Sequence, residues 1–264
     1  MSRKRIGIIG FGYIGRYIYE QIQSENSNLE VAFVWNRSSE KIADLPQELV
    51  LNDLNDFSDH NPDLVLELAH PAISAEYGEA FLSSTNYMML SVTAMADQKL
   101  ADKLESTALQ NGTNLFIPHG ALIGVESLQE GRDNWKEVSI TFKKHPDSLD
   151  FSNTDIDPAS ITSSTVVFDG PVRDIAKQFP RNVNTMVTCA LSTLGLDKTR
   201  AVLISDPELT SLTAEVSAIG NDGSLLETKK VELSAGVSGT GMLASQLGSI
   251  HRAMLGGRPG INFV

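Results

Sequence analysis

Ile6-Gly7-Ile8-Ile9-Gly10-Phe11-Gly12-Tyr13-Ile14-Gly15 is the stretch on which the fold turns. Its first four residues are a short apolar run, which reads as a strand. From Ile14 the period changes, and Ile14, Ile18 and Ile22 fall on one helical face with Tyr17 beside them. A strand therefore runs into a glycine turn, and the turn opens a helix. That is the context a dinucleotide-binding turn requires. Gly10 permits the tight turn, Gly12 lets the backbone approach a pyrophosphate, and Gly15 lets helix and strand pack closely. The helix start supplies N–H groups and a positive dipole end for the anion. A glycine-rich surface turn could carry the same three residues, but without a strand before it and an amphipathic helix after it. Gly10, Phe11, Gly12, Tyr13, Ile14 and Gly15 are accordingly the first candidate cofactor-binding set.

The 264 residues suit two modest domains, or one large domain with an insertion. Hydrophobic content is 41%, enough for real cores, and no apolar stretch reaches membrane-spanning length. The first residues lead straight into a strand, so they do not read as a cleaved signal. Cys189 is the only cysteine, which excludes an internal disulfide and any multi-cysteine metal centre. The expectation is a cytoplasmic protein without a metal. With 21 basic and 33 acidic residues the net charge is -12, a surface that repels nucleic acid and anionic membrane. An anionic ligand must then be held by local features against the global field.

Leu29 to Trp35 reads as the second strand. An acidic residue at its end would serve an adenosine ribose hydroxyl. Asn36-Arg37-Ser38-Ser39 stands there instead. It has no carboxylate to repel a 2′-phosphate, and it has a guanidinium and hydroxyls to receive one. Asn36, Arg37 and Ser38 therefore favour NADP, or tolerance of both NADP and NAD. Further strands are read at Asp63 to Ala69, Asn86 to Val92 and Leu115 to Ile117, with helices between them. Asp97 reads as an N-cap and Gly112 as the glycine after a helix end. Strands alternating with helices imply a doubly wound parallel sheet, whose ligands lie beyond the strands' carboxyl ends. Ala69-His70, Thr93-Ala94 and His119-Gly120-Ala121 are thus candidate lining.

After Gly124 the pattern changes to period two. Val138 to Lys144, Thr165 to Phe168, Ala201 to Ile204, Glu215 to Ile219 and Thr228 to Leu233 read as strands of an antiparallel or mixed sheet. A helix interrupts them from Thr185 to Leu194, and Asp150 to Ser164 reads as a mobile loop. The expected division is a Rossmann domain over 1–124 and a substrate and dimerisation domain over 125–239. A last helix within 240–264 is expected to pack back on the first domain.

Several strings, in this order, resemble the aspartate dehydrogenase family. They are Gly10 to Gly15, Glu67-Leu68-Ala69-His70-Pro71, Ser91 to Asp97, Pro118 to Gly124, Phe179 to Met186 and Arg258-Pro259-Gly260-Ile261. The resemblance implies a Rossmann domain followed by an α+β mixed-sheet domain of dihydrodipicolinate-reductase type. It also implies a homodimer and oxidation of L-aspartate with NAD or NADP to an imine or oxo acid plus ammonia. By the same pattern Ala121 and Asn184 meet the nicotinamide half of the cofactor. The family's catalytic histidine falls here on Thr213 or Ala214, and no histidine lies between His145 and His251.

The chemistry needs a proton acceptor and a carboxylate site. His119, just before the Gly-Ala turn, is the positional candidate for the proton step. His70 more naturally supports the loop beneath the nicotinamide. Arg181 and Asn182, ahead of a helix start, are candidates for the substrate carboxylates, although Asn182 could be a plain N-cap. Lys143 and Lys144 point to opposite faces, so one of them could turn inward, and Lys144 is the candidate for a substrate carboxylate. The reading is an NAD(P)-dependent amino-acid dehydrogenase acting on a small amino acid or oxo acid. A reductase of another imine or oxo acid on the same scaffold, or a non-catalytic NADP(H)-binding regulator, are the alternatives.

Overall fold

The computed structural model describes residues 3–24, 28–235, 238–239 and 242–255. The chain divides into two compact units, 1–118 with 246–264, and 119–245.

The first unit is a five-stranded parallel sheet in the order β2-β1-β3-β4-β5, built from β1 (Lys4–Ile9), β2 (Leu29–Trp35), β3 (Leu64–Glu67), β4 (Asn86–Met89) and β5 (Leu115–Phe116). Its helices are α1 (Tyr13–Ile22), α2 (Pro71–Leu82) and α3 (Gln98–Asn111). Both faces are covered, and alternation sorts the strands' side chains between them. Ile6, Ile8, Leu64 and Leu66 join Ile18 and Ile22 of α1 in one core cluster. Ile9 and Val65 join Phe81, Leu82 and Leu104 of α2 and α3 in the other. Helix α3 has the expected ends. The Asp97 carboxylate accepts from the N–H groups of Lys99 and Leu100, and Gly112 closes the helix at φ +66°. The last helix, called α7 once the second unit's helices are counted, runs Met242–Leu255. It places Ile250 in the α1-side core with Ala253 and Met254 against it. The Arg258-Pro259-Gly260-Ile261 string lies outside the described residues.

The second unit is a mixed sheet in the order β11-β10-β9-β6-β8-β7. Its strands are β6 (Trp135–Lys144), β7 (Thr165–Pro171), β8 (Arg200–Ser205), β9 (Ser211–Gly220), β10 (Leu225–Ala235) and β11 (Ser238–Gly239). Only the β6–β8 pairing among them is parallel. The β9–β10 hairpin turns with Gly223 at φ +81° and the Asp222 carboxylate accepting from the Ser224 N–H and hydroxyl. The helices are α4 (Val125–Glu130), α5 (Val172–Gln178) and α6 (Asn184–Leu191). Ile140, Phe142, Leu203, Leu212, Ala214 and Val216 are buried on one sheet face. On the other, Leu225, Val231 and Leu233 stand exposed along β10.

Two local expectations change. The stretch 150–164 is anchored: Phe151 and Ile161 are buried, the Phe151 ring meets Phe179 edge-on at 5.7 Å, and the Asp150 N–H donates to the Asn182 side chain. Its many polar residues conceal these two apolar anchors. Asn182 is not the N-cap of α6; Val183 holds that position and no side chain caps the helix.

Candidate active site

The glycine turn behaves as three different residues. Gly10 sits at φ +99°, and a Cβ there would lie 2.9 Å from the Leu68 backbone. A Cβ on Gly15 would lie 2.0 Å from the Gly10 carbonyl oxygen, so strand and helix touch through bare backbone. A Cβ on Gly12 would meet nothing within 4 Å. Gly10 and Gly15 are thus fixed by packing, whereas Gly12 faces open space at the start of α1, where no side chain caps the helix. An uncapped helix start beside a bare, open backbone fits a dinucleotide pyrophosphate. Residues around it have other tasks. The Phe11 ring is buried, with the Arg16 guanidinium 4.9 Å from its centre and Tyr19 edge-on at 5.5 Å. Tyr13 is 51% exposed on the first turn of α1.

Asn36 ties the end of β2 to this turn. Its Oδ1 accepts from the Phe11 N–H at 2.9 Å, and its Nδ2 donates to the Ser38 carbonyl at 2.9 Å. Arg37 is exposed beside it and Ser38 leads into a short 3-10 turn.

Glu67, which the sequence reading passed over, organises the ends of β3 and β4. It is fully buried. Its carboxylate accepts from the N–H groups of Ala69 (2.6 Å), His70 (2.7 Å) and Ser91 (3.1 Å), and from the Ser91 hydroxyl (3.0 Å). Burial pushes its carboxyl up, and the four donors pull against that. One side chain thereby fixes the Ala69-His70 segment and the 91–96 turn that holds buried Thr93. The signal was present: a glutamate inside Leu64-Val65-Leu66-Glu67, on a strand covered on both faces, must find several partners. His70 caps α2, its Nδ1 accepting from the Ala72 N–H at 3.1 Å, which supports the loop.

In the second unit, the Ala121 N–H donates to the Thr185 hydroxyl at 3.4 Å, which joins the Gly120-Ala121 turn to the start of α6 next to Asn184. His119 is partly buried, and its Nε2 lies 3.8 Å from a Glu126 carboxylate oxygen that is well exposed. Arg181 is exposed and 3.6 Å from Asp150. Asn182 is buried with both ends of its amide engaged: Nδ2 donates to the Ser148 carbonyl and Oδ1 accepts from Asp150. The two lysines do divide between faces. Lys143 reaches Glu215 at 3.1 Å, whereas Lys144 is buried and donates to the Asn182 carbonyl at 3.1 Å. Burial lowers the Lys144 amine to about 8. Alternation also separates Thr213 from Ala214. Thr213 pairs with Lys143, and Ala214 pairs with Phe142 on the Lys144 face. Among the described residues no cluster of three or more metal-ligating side chains occurs, and no helix is long and apolar enough to cross a membrane.

Comparison with known proteins meets this geometry. The family model described as "Aspartate dehydrogenase, C-terminal" matches residues 127–248. A relative from Xenopus tropicalis, an aspartate dehydrogenase domain-containing protein, is 39% identical over 216 residues, 78% of this chain and 76% of the relative. The chain belongs to the aspartate dehydrogenase family. The L-aspartate dehydrogenase of Nitrosopumilus maritimus is 29% identical over 235 residues, 85% of this chain and 86% of the relative. The crystal structure of aspartate dehydrogenase from Thermotoga maritima superposes with a TM-score of 0.77 at 27% identity, covering 99% of this chain and 100% of that one. The model described as "Homoserine dehydrogenase, NAD binding domain" matches residues 10–118, which takes in the glycine turn. This member of the aspartate dehydrogenase family is an NAD(P)-dependent oxidoreductase with a Rossmann-like parallel sheet and a mixed sheet.

Proposed function

We propose that the chain oxidises L-aspartate with NADP or NAD, giving an imine that hydrolyses to an oxo acid and ammonia. The open, uncapped side of Gly12 in a chain of this family is the observation that carries the reading. The nicotinamide, when bound, accepts the hydride from the substrate Cα; the protein holds, orients and moves the proton. The Gly10–Gly15 turn would hold the pyrophosphate through backbone N–H groups, with Tyr13 and Ile14 at the helix start. Ala69, His70 and Thr93 are held by the Glu67 network at the strand ends where the cofactor would pass. Ala121 and Asn184 would meet the nicotinamide half, and His119 shapes the turn ahead of them, its carbonyl accepting from the Leu122 N–H at 3.0 Å. Arg181, exposed and paired with Asp150, would receive a substrate carboxylate in its place. Asn182, both ends of its amide engaged, would act by holding the 148–150 backbone. We also read the protein as a cytoplasmic homodimer that pairs through the exposed β10 face carrying Leu225, Val231 and Leu233.

The test is turnover: purified protein with NADP+ or NAD+ and a panel of amino acids, followed by absorbance of the reduced cofactor. Turnover with L-aspartate is expected. Turnover only in reverse, with a different carbonyl compound plus ammonia, would replace the substrate and keep the scaffold reading. Cofactor preference has its own test. Arg37 is exposed and makes no hydrogen bond or ion pair among the described residues, so its guanidinium is available for a 2′-phosphate. Arg37→Ala is expected to weaken NADPH binding roughly 10-fold, as loss of one charge-assisted contact does, and to leave NADH unchanged. Fluorescence titration of both reduced cofactors would read it; equal loss for both would remove Arg37 from the phosphate site.

A further inference from the structure

We propose that Lys144 is the group that takes the proton from the substrate ammonium, an assignment that rests on the dehydrogenase reading above. Lys144 ends β6 on the covered face of the mixed sheet, only 2% exposed. Its one hydrogen-bond acceptor among the described residues is the Asn182 carbonyl, and its Nζ lies 5.3 Å from the centre of the Phe142 ring. An ammonium has three N–H donors, so a single carbonyl leaves most of its capacity unused. Ser205, its register partner on β8, is fully buried with a hydroxyl that has no hydrogen-bond partner. Two unsated polar groups, side by side in an apolar face, describe a site completed by something polar that arrives.

The position suits the chemistry. Asn182, which receives the Lys144 amine, lies two residues before Asn184 at the start of α6, and Thr185 next to it holds the Ala121 turn. The amine, the helix start and the turn form one connected patch within the second unit. The Asn182 side chain pins the 148–150 backbone at both ends of its amide, so the acceptor carbonyl is rigidly placed. The charged groups near this end of β6 are engaged elsewhere. Arg181 pairs with Asp150, His145 with Asp147, and Lys230 with Glu232. Asp206 receives the Glu208 N–H, and Lys143 and Glu215 occupy the opposite face. Burial alone accounts for the lowered amine, to about 8, so a useful fraction is neutral at mildly alkaline pH. By contrast His119 lies beside an exposed carboxylate.

The step balances as follows. The neutral Nζ lone pair takes H+ from the substrate C–NH3+, leaving C–NH2. The Cα–H bond then breaks, its electron pair leaving as hydride to the oxidised nicotinamide dinucleotide. The nitrogen lone pair forms C=NH2+, and water adds to that carbon and releases ammonium. Lys144 returns its proton to solvent.

The experiment measures kcat, KM and their pH profiles for the wild type, K144M, K144R and H119N. It adds equilibrium binding of succinate, a dicarboxylate without an amine, in the presence of the oxidised cofactor. The wild-type rate is expected to rise with pH to a plateau above about 8. K144M and K144R are expected to lose at least about 100-fold in kcat, to lose that limb and to bind succinate within about threefold of wild type. In K144A, small primary amines are expected to restore rate in proportion to their basicity, which a merely structural lysine would not allow. An active wild type with an equally active K144M overturns the assignment alone. So does a limb that survives K144M and disappears in H119N, or a K144M whose succinate affinity falls as far as its rate. A wild type that binds cofactor and turns over no amino acid overturns the dehydrogenase reading and this assignment together.

Discussion

Gly12→Val is expected to abolish cofactor binding while leaving the protein folded, and Gly15→Ala to do the reverse damage first. Gly12 has extended backbone torsions, φ -86° and ψ -155°, which any residue adopts, and its Cβ direction is open. Its substitution should cost a few tenths to about 1 kcal/mol as a lost helix cap. Two methyl groups in the space where the pyrophosphate must approach should weaken NADPH by at least about 100-fold, or roughly 3 kcal/mol. At Gly15 the new methyl would be 2.0 Å from the Gly10 carbonyl oxygen, a backbone atom that can withdraw only by moving β1 from α1. Overpacking of that kind costs about 1–3 kcal/mol and occasionally more, and the upper end is expected here. Thermal unfolding with and without NADPH separates the two. A Gly12→Val protein that binds NADPH as the wild type does would place the phosphates somewhere else.

Glu67→Ala should be the most destabilising single change at the strand ends. It removes an acceptor of four hydrogen bonds and strands the Ser91 N–H in the interior. Hydrogen bonds to a charged group are worth roughly 1.5–3 kcal/mol each, part of which water returns at exposed Ala69 and His70. A net loss of about 3–5 kcal/mol in urea unfolding is expected, together with weaker cofactor binding, because the two loops it joins would separate. Glu67→Gln keeps the shape but brings an NH2 group against four donors, so it should recover less than half of the loss. A Glu67→Ala protein within about 1 kcal/mol of wild type would show that the loops hold themselves.

The sequence was most readable where one residue type has one physical task. Strand–glycine–helix order identified the parallel sheet, and Asp97 and Gly112 marked the ends of α3, because cap chemistry is local. The period-two runs announced the second sheet, but β6 begins at Trp135 and β9 at Ser211, earlier than their alternation suggested. What alternation cannot supply is pairing. The register of Lys144 with Ser205, and of Ala214 with Phe142, exists only once β6 has been placed between β8 and β9. The N-cap reading of Asn182 failed for the same reason: its partners, Ser148 and Asp150, are more than thirty residues away. Glu67 was legible in principle, since a carboxylate in an apolar strand has to be answered, but which backbone answers it depends on the neighbouring strand.

The double grip of Asn36 bears on any attempt to change this enzyme's nucleotide preference. Installing an acidic residue at the end of β2 is the obvious route to NAD, and Asn36 is the obvious place to do it. An aspartate there could still receive Phe11 but would have no donor for the Ser38 carbonyl, so the tip of the loop would come loose from the strand. Selectivity should be rewritten just beyond it, at Arg37 and Ser38, the residues proposed to meet the nucleotide, whose side chains would do so without also clamping the hinge of its cradle.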